Sequence, residues 1–476
     1  MKIRVLQGSC MDNRSNAQEM RTTARLLLAD RRRSPLFLVL LLLSSVWISC
    51  DAPVKVGLIG DQFGAVNADS AYAVMDKAVL RLQQQQPDVV VQVGDMLESI
   101  RNIDSYEAYQ KNWRTAASIM DQVKRPWFLA FGDHDVVPPE YQPLSGDRSR
   151  EKWALQLARL QGLPVDSLPY YGVSIKGYHF IFLYSLENLH TDPRWGSIFL
   201  NSISDRQMKW LERELDTHQH AKGIIVILHH PHWYVWSNWY RIHELLRRYP
   251  VKAVIAGHYH YSQDEGILDG IHYYVMGSTG GVINDTDPNS GGTFVYGLMT
   301  LSQKTPPRFL LRSVRSDSVI AVPSRRSMDR IQAVECMLDG LWQDENIVLR
   351  QGKLFDRNGD KLTSLHGIGL ESIANPIDVP ISIVIEYDTT LIAAARWNAG
   401  PVPLDGRAKL ELKPGLGMGW ANYSNVGKWD KSKPVWEADL RPENRYTLKS
   451  ITLNVFVSFR DDRERRVHRT ITYGIN

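Results

Sequence analysis

The chain has 476 residues, 43% of them hydrophobic and 23% charged, with a formal net charge of +4. This is globular composition over a length that holds two or three domains, and it excludes collagen-like, disordered and multi-span membrane chains. The surplus charge sits in the first 50 residues, which carry eight Lys/Arg against three acids, so the remainder presents no basic field and no nucleic-acid binding is expected.

Arg31-Arg32-Arg33 precede an apolar run that closes at Ser49-Cys50. Its core of about 13 residues falls short of the roughly 20 needed to span a bilayer. A basic stretch before a short apolar core is the pattern of a secretory leader, here assigned to residues 1–50. Residues before Met20 add nothing to that pattern, and a start at Met20 gives a leader of ordinary length. Cys50, directly after a small Ser, resembles the lipobox of bacterial lipoproteins, from which Trp47 and Ile48 depart. Lipid attachment at Cys50, simple cleavage and an uncleaved anchor all stay open. The first is the expectation: an exported protein of the bacterial periplasm or outer surface, with the membrane as a partner through the lipid. Cys336 is then left alone and no internal disulfide is available, so the exported part is held by its core.

From residue 54 the text alternates strand and helix. Short apolar strands are expected at 54–60, 89–93, 127–131, 171–175, 179–184, 224–228, 251–256 and 273–276. Helices are expected at 70–85, with Ala71, Val74, Ala78 and Leu82 on one face, and at 106–120 and 204–216. This is the pattern of a layered α/β domain, assigned to 51–300. Pro306-Pro307 marks a join to a C-terminal β-rich accessory domain at 305–476. That part holds one helix at 327–341 and strands of period two around 381–387 and 451–458, the signature of a β-sandwich-like module. A turn is read at Asn358-Gly359.

Polar residues gather at the strand ends. Asp61, Asp95, Asp133-His134-Asp135, His229-His230 and His258/His260 each follow an apolar run, and twelve of the 14 histidines lie between His134 and His272. Carboxyl ends of strands in such domains converge on one edge. Imidazoles and carboxylates brought together there suit Zn, Mn or Fe, and two such metals suit phosphoryl chemistry. Trp233, Tyr234, Trp236, Trp239 and Tyr240 follow directly; they either line a substrate mouth or pack a loop. His230 reads as a support of the site, His232 as facing its entrance, and His243 as part of a solvated face with Arg247.

The ordered set Gly60-Asp61, Gly94-Asp95, Gly132-Asp133-His134-Asp135, His229-His230-Pro231 and Gly257-His258-Tyr259-His260 resembles the calcineurin-like metallophosphoesterases over roughly 54–285. The resemblance implies an α/β fold, a layered β-sandwich flanked by helices, followed here by the mostly-β C-terminal domain. It implies two transition metals, Mn, Zn or Fe. Asp95 would bridge them, His258, His229 and Asp133 would complete one site, and Asp61 and His260 would hold the other. His134 would assist the leaving group, and Asp135 would orient His134. The implied activity is hydrolysis of a phosphomonoester or phosphodiester by metal-bound water. Two positions depart from the pattern. Phe63 stands where the family has a ligand His, and Asp133 stands where it has Asn. In the purple acid phosphatase branch a Tyr three residues after the second Asp takes up that role; here the position is Glu98, read either as the replacement ligand or as an exposed Glu at a strand end. Loss of the first-motif His also admits a second function, a catalytically impaired binding module at the cell surface.

Overall fold

The computed structural model describes residues 52–63, 68–98, 105–136, 149–187, 203–234, 236–283, 293–342, 347–355, 361–370, 373–397, 406–414, 436–444 and 449–474. The leader with Cys50, and the Asn358-Gly359 turn, lie outside them. The chain divides into Met1–Ala52 and Pro53–Asn476, and everything below concerns the second unit. No helix among the described residues is long and apolar enough to cross a membrane.

The first half builds two six-stranded sheets. One contains β1 (Val54–Ile59), β2 (Val89–Gln92), β3 (Trp127–Leu129), β10 (Val295–Leu301), β11 (Arg308–Ser313) and β12 (Val319–Ile320), in the order β12-β11-β10-β1-β2-β3. The other contains β4 (Tyr171–Ile175), β5 (Tyr178–Phe182), β6 (Gly223–Ile227), β7 (Val251–Ala256), β8 (Gln263–Leu268) and β9 (Ile271–Val275), in the order β4-β5-β6-β7-β9-β8. β1, β2 and β3 run parallel, as do β5, β6, β7 and β9. Helices α1 (Ala68–Gln85), α2 (Tyr106–Asp121), α3 (Asp133–Val136), α4 (Ser149–Leu160), α5 (Asp205–Thr217) and α6 (Trp236–Leu246) complete the layers.

The central strands are apolar throughout because both faces are covered. Phe180, Phe182, Ile225 and Ile227 join one core with β1, β2, α1 and α2. Their neighbours Ile181, Ile224 and Val226 point the other way, onto Leu211 and Leu215 of α5 and Trp239 and Leu246 of α6. The expected face of α1 is buried at Ala71, Ala78 and Leu82. Leu82→Ala should lower stability by roughly 2–5 kcal/mol, because a fully buried site leaves a cavity. A urea titration shows this as a lower midpoint with metal content unchanged.

Several features depart from the sequence reading. Pro306-Pro307 is no domain join: it lies between β10 and β11, which pair antiparallel from Val295↔Ser313 to Thr300↔Arg308. A pair of prolines suits a turn between strands as well as a linker, and this sheet continues to Ile320. Helices α4 and α6 had no expected counterpart. The segment that makes α6 opens on Trp-Ser-Asn-Trp-Tyr, which are weak helix formers, and it is the packing of Trp239, Ile242 and Leu246 that holds it.

The second half begins with α7 (Arg325–Trp342), close to the expected helix. Two four-stranded antiparallel sheets follow. One is ordered β13-β14-β18-β16, with β13 (Ile347–Phe355), β14 (Lys361–Leu370), β16 (Ile392–Trp397) and β18 (Trp436–Leu440). The other is β17-β15-β19-β20, with β15 (Ile381–Tyr387), β17 (Arg407–Leu412), β19 (Ser450–Arg460) and β20 (Glu464–Gly474). Alternate residues Ile381, Ile383, Ile385 and Ile451, Leu453, Val455, Val457 turn inward onto Ile368, Trp436 and the apolar face of α7. Period two in the text thus becomes the inner face of a sandwich.

Candidate metal centre

The site is assembled at the carboxyl ends of β1, β2, β3, β6 and β7. Backbone hydrogen bonds continue across these ends. Asp61 N donates to Gly94 O (3.0 Å), Gln62 N to Asp95 O (2.9 Å) and Gly257 N to His229 O (2.9 Å). Four expected ligands sit in the left-handed region: Asp61 (φ 56°), Asp95 (53°), His258 (75°) and His260 (60°). This conformation costs a side-chain-bearing residue on the order of 1 kcal/mol or more, and persists where the surrounding structure imposes it.

Glycines admit the close approach. A Cβ on Gly132 would lie 2.1 Å from Asp95 Oδ1 and 2.3 Å from Asp95 N. A Cβ on Gly94, at φ +114°, would lie 2.2 Å from His229 Nδ1. Gly132→Ala should therefore displace the Asp95 carboxylate and remove bound metal from a protein whose circular dichroism is unchanged; metal analysis of the purified variant reads it.

Asp133, His229, His230 and His258 each present a donor atom within 4.8 Å of the others, as do Asp61, Asp95 and His229, and Asp95, Asp133 and His134. His229 Nε2 lies 3.0 Å from Asp133 Oδ1 and 3.3 Å from Asp95 Oδ1. His229 Nδ1 donates to Val93 O at 3.0 Å, which turns Nε2 into the cluster. His258 N donates to Asp61 Oδ1 (2.9 Å), and its Nδ1 lies 3.3 Å from Asp133 Oδ1. His134 N donates to Asp95 Oδ1 at 2.9 Å.

The electrostatics are those of a cation site. Asp61 and Asp95 are buried, and the Oδ2 atom of each has no hydrogen-bond partner. Burial raises Asp61, outweighing the lowering pull of His260 and His229. Burial also works against ionised Asp133, but hydrogen bonds from His229 and His258 hold it well below the usual carboxylate range. Burial opposes a charged His229, yet Asp95 and Asp133 lift its pKa well above the ordinary value. Deeply buried carboxylates with orphaned oxygens and neutralised only by histidines fit a divalent or trivalent metal. Binding such a metal displaces the proton from His229, so affinity should fall as pH drops and protons compete for Nε2. Metal retention after dialysis at stepped pH checks this sign.

The remaining expected residues are placed differently. His260 falls in none of the donor sets. Its Nδ1 donates to Val282 O at 2.8 Å, which leaves Nε2 for a ligand. Asp135 does not orient His134: Oδ1 accepts from Leu97 N (3.1 Å) and Oδ2 from Gly132 N (2.9 Å), so it braces the loops instead. Burial and the neighbouring Asp95 charge push Asp135 up to about 7. Glu98 is neither exposed nor in a donor set. Its main chain is pinned by Tyr72, whose hydroxyl accepts from Glu98 N, and by Asn112, which donates to Glu98 O. Phe63, in the place of the missing imidazole, stacks on His134 with ring centroids 3.2 Å apart and planes at 11°.

His230 was read as a support and is brought into the donor cluster, with Nε2 3.5 Å from Asp133 Oδ1. The doubled His229-His230 was the available signal. His232 turns inward, 3.0 Å from Ser185 O, and burial pulls it down to about 4. His243 is buried rather than solvated, with Nδ1 2.7 Å from the Tyr273 hydroxyl and Nε2 3.1 Å from Asp269 Oδ2. Of the aromatic run, Trp233 and Trp239 pack the core and Tyr240 is exposed. The side chain of Trp236 lies outside the described residues.

Residues 54–262 match the calcineurin-like phosphoesterase family, and the chain carries a calcineurin-like phosphoesterase domain over that span. Among solved structures, the chain is similar to a dimetal phosphatase from Danio rerio, with 16% identity over 56% of this chain and 98% of that one and a TM-score of 0.41. It is also similar to a purple acid phosphatase from yellow lupin (Lupinus luteus) seeds, with 15% identity over 58% of this chain and 55% of that one and a TM-score of 0.40. A third is GAP50, the anchor in the inner membrane complex of Plasmodium, with 13% identity over 56% and 87% of the two chains and a TM-score of 0.36. The chain thus spans about half the length of the lupin protein. No curated protein sequence matches it.

Proposed function

We propose that the protein is a metal-dependent phosphoester hydrolase that uses two transition metals. The observation that carries this is the convergence of Asp61, Asp95, Asp133, His229 and His258 on overlapping donor sets with unpartnered carboxylate oxygens. Asp95, whose carboxylate is shared between sets, would hold both metals; Asp61 would belong to one, and Asp133, His258 and Nε2 of His229 to the other. Such metals, when bound, acidify a water and neutralise charge on the phosphate.

The residues of the chain do the rest. Val93 O fixes the ring of His229, and Asp61 fixes the main chain of His258, so the donors need no rearrangement. His134 is held by its main chain on Asp95 and by its ring on Phe63. Its side chain is 29% exposed, so a substrate can reach it. As water attacks phosphorus and the bond to the ester oxygen breaks, His134 gives its proton to the departing oxygen.

The rival reading, a binding module that no longer turns over, rests on Phe63 in place of a ligand. Assays on p-nitrophenyl phosphate and bis(p-nitrophenyl) phosphate separate the two. Hydrolysis lost on chelation and restored by Mn, Zn or Fe supports the hydrolase, and the preferred ester sets monoester against diester. Full metal occupancy without turnover of either ester would give the binding reading.

A further inference from the structure

A cavity of about 920 Å³ opens beside the metal centre, walled on one side by Tyr234, Tyr259 and Tyr261 and on the other by α7 and Arg469 of β20. No donor lines it, and it meets the site through residues that neighbour the donors. Tyr259 stands between His258 and His260, with its ring 5.2 Å from that of His258. Val282, whose carbonyl accepts from His260, precedes the lining residue Ile283. An ester group that extends from a phosphate at the centre past Tyr259 would reach this cavity.

The lining sets the chemistry of that group. Tyr259 is 38% exposed and offers an open ring, backed by Tyr261 at 12° and by the edge of Tyr234 at 5.0 Å. Arg325 lies over Tyr234 at 4.9 Å and pairs with Glu265 at 3.1 Å, so its charge is already met and it brings no excess attraction for a second phosphate. Asp329 and Gln332 of α7 project into the same space. An aromatic face flanked by carboxylate and amide groups matches a ring with one apolar face and a rim of hydroxyls. It does not match an acyl chain, which needs a continuous apolar wall.

Resting on the hydrolase reading above, we infer that the ester group cleaved from phosphate is a sugar, seated on Tyr259 and hydrogen-bonded through Asp329 and Gln332 at the junction with the C-terminal domain. The C-terminal domain is then part of the substrate site through α7.

The test compares kcat/KM for α-D-glucose 1-phosphate, uridine 5′-monophosphate and p-nitrophenyl phosphate in the metal-loaded full chain and in D329A and Y259A. Each ratio is taken within one variant, so p-nitrophenyl phosphate controls for folding and metal loading. The expected result is a ratio of sugar phosphate to aryl phosphate that falls about tenfold in D329A, the loss of a hydrogen bond to a charged group, and falls also in Y259A. An unchanged ratio in both variants, with aryl phosphate still cleaved, overturns this inference alone. A fall confined to uridine 5′-monophosphate replaces the sugar with a nucleobase and overturns it as well. No hydrolysis of any ester by the loaded wild type overturns the hydrolase reading, and this inference with it.

Discussion

Asp95→Ala should empty the centre of metal and lower kcat/KM for an aryl phosphate by a factor of about a thousand or more, since bound metals supply several kcal/mol of transition-state stabilisation. The effect is large because one carboxylate serves many partners. Its Oδ1 accepts from His134 N at 2.9 Å and faces His229 Nε2 at 3.3 Å, while Oδ2 is buried without a partner. Removing it takes away a shared donor and the tether of the loop that carries His134. It also removes a charge that sustains the His229 pKa well above the ordinary value. Glu98→Ala is the comparison: Glu98 lies outside every donor set among the described residues, but its Oε2 is buried without a hydrogen-bond partner, as the Oδ2 atoms of Asp61 and Asp95 are, so lost metal would make it the replacement donor and unchanged content would exclude it.

His134→Ala should separate chemistry from metal binding. General acid assistance accounts for roughly 10²–10⁴ in rate, so kcat should fall by about that much on an ester with a poor leaving group. The fall should shrink for p-nitrophenyl esters, whose leaving group needs little protonation. Metal content should hold near the wild-type value, because the Asp61 and Asp133 donor sets survive without the His134 imidazole. Equal losses on both kinds of ester would instead mean that His134 holds the site together. Phe63→Ala should give a milder version with the same leaving-group dependence, since the stacked ring positions His134.

The clustering of Asp61, Asp95, Asp133, His229 and His258 was legible because its signals are local. A Gly-Asp or Gly-His directly after an apolar strand can be read without knowing the partners, and parallel strands carry such ends to one edge. What was illegible depends on distant neighbours. Nothing within three residues of Glu98 says that Tyr72 and Asn112 hold its main chain. Asp135 sits next to His134 in the chain, yet its carboxylate is taken by the amides of Leu97 and Gly132. His243 has the spacing of a surface position, but Tyr273 and Asp269 on and beside β9 close over it. In the C-terminal half, period two exposed the sandwich strands, whereas β11 and β12 were assigned to the wrong half because Pro306-Pro307 reads as a linker as readily as a turn between antiparallel strands.

The most direct measurement is the transition-metal content of purified 51–476 after loading with Mn, Zn and Fe, by elemental analysis beside the Asp95→Ala variant. Two metals per chain in the wild type and none in the variant is the predicted result. A wild type that holds no transition metal after loading would contradict the account.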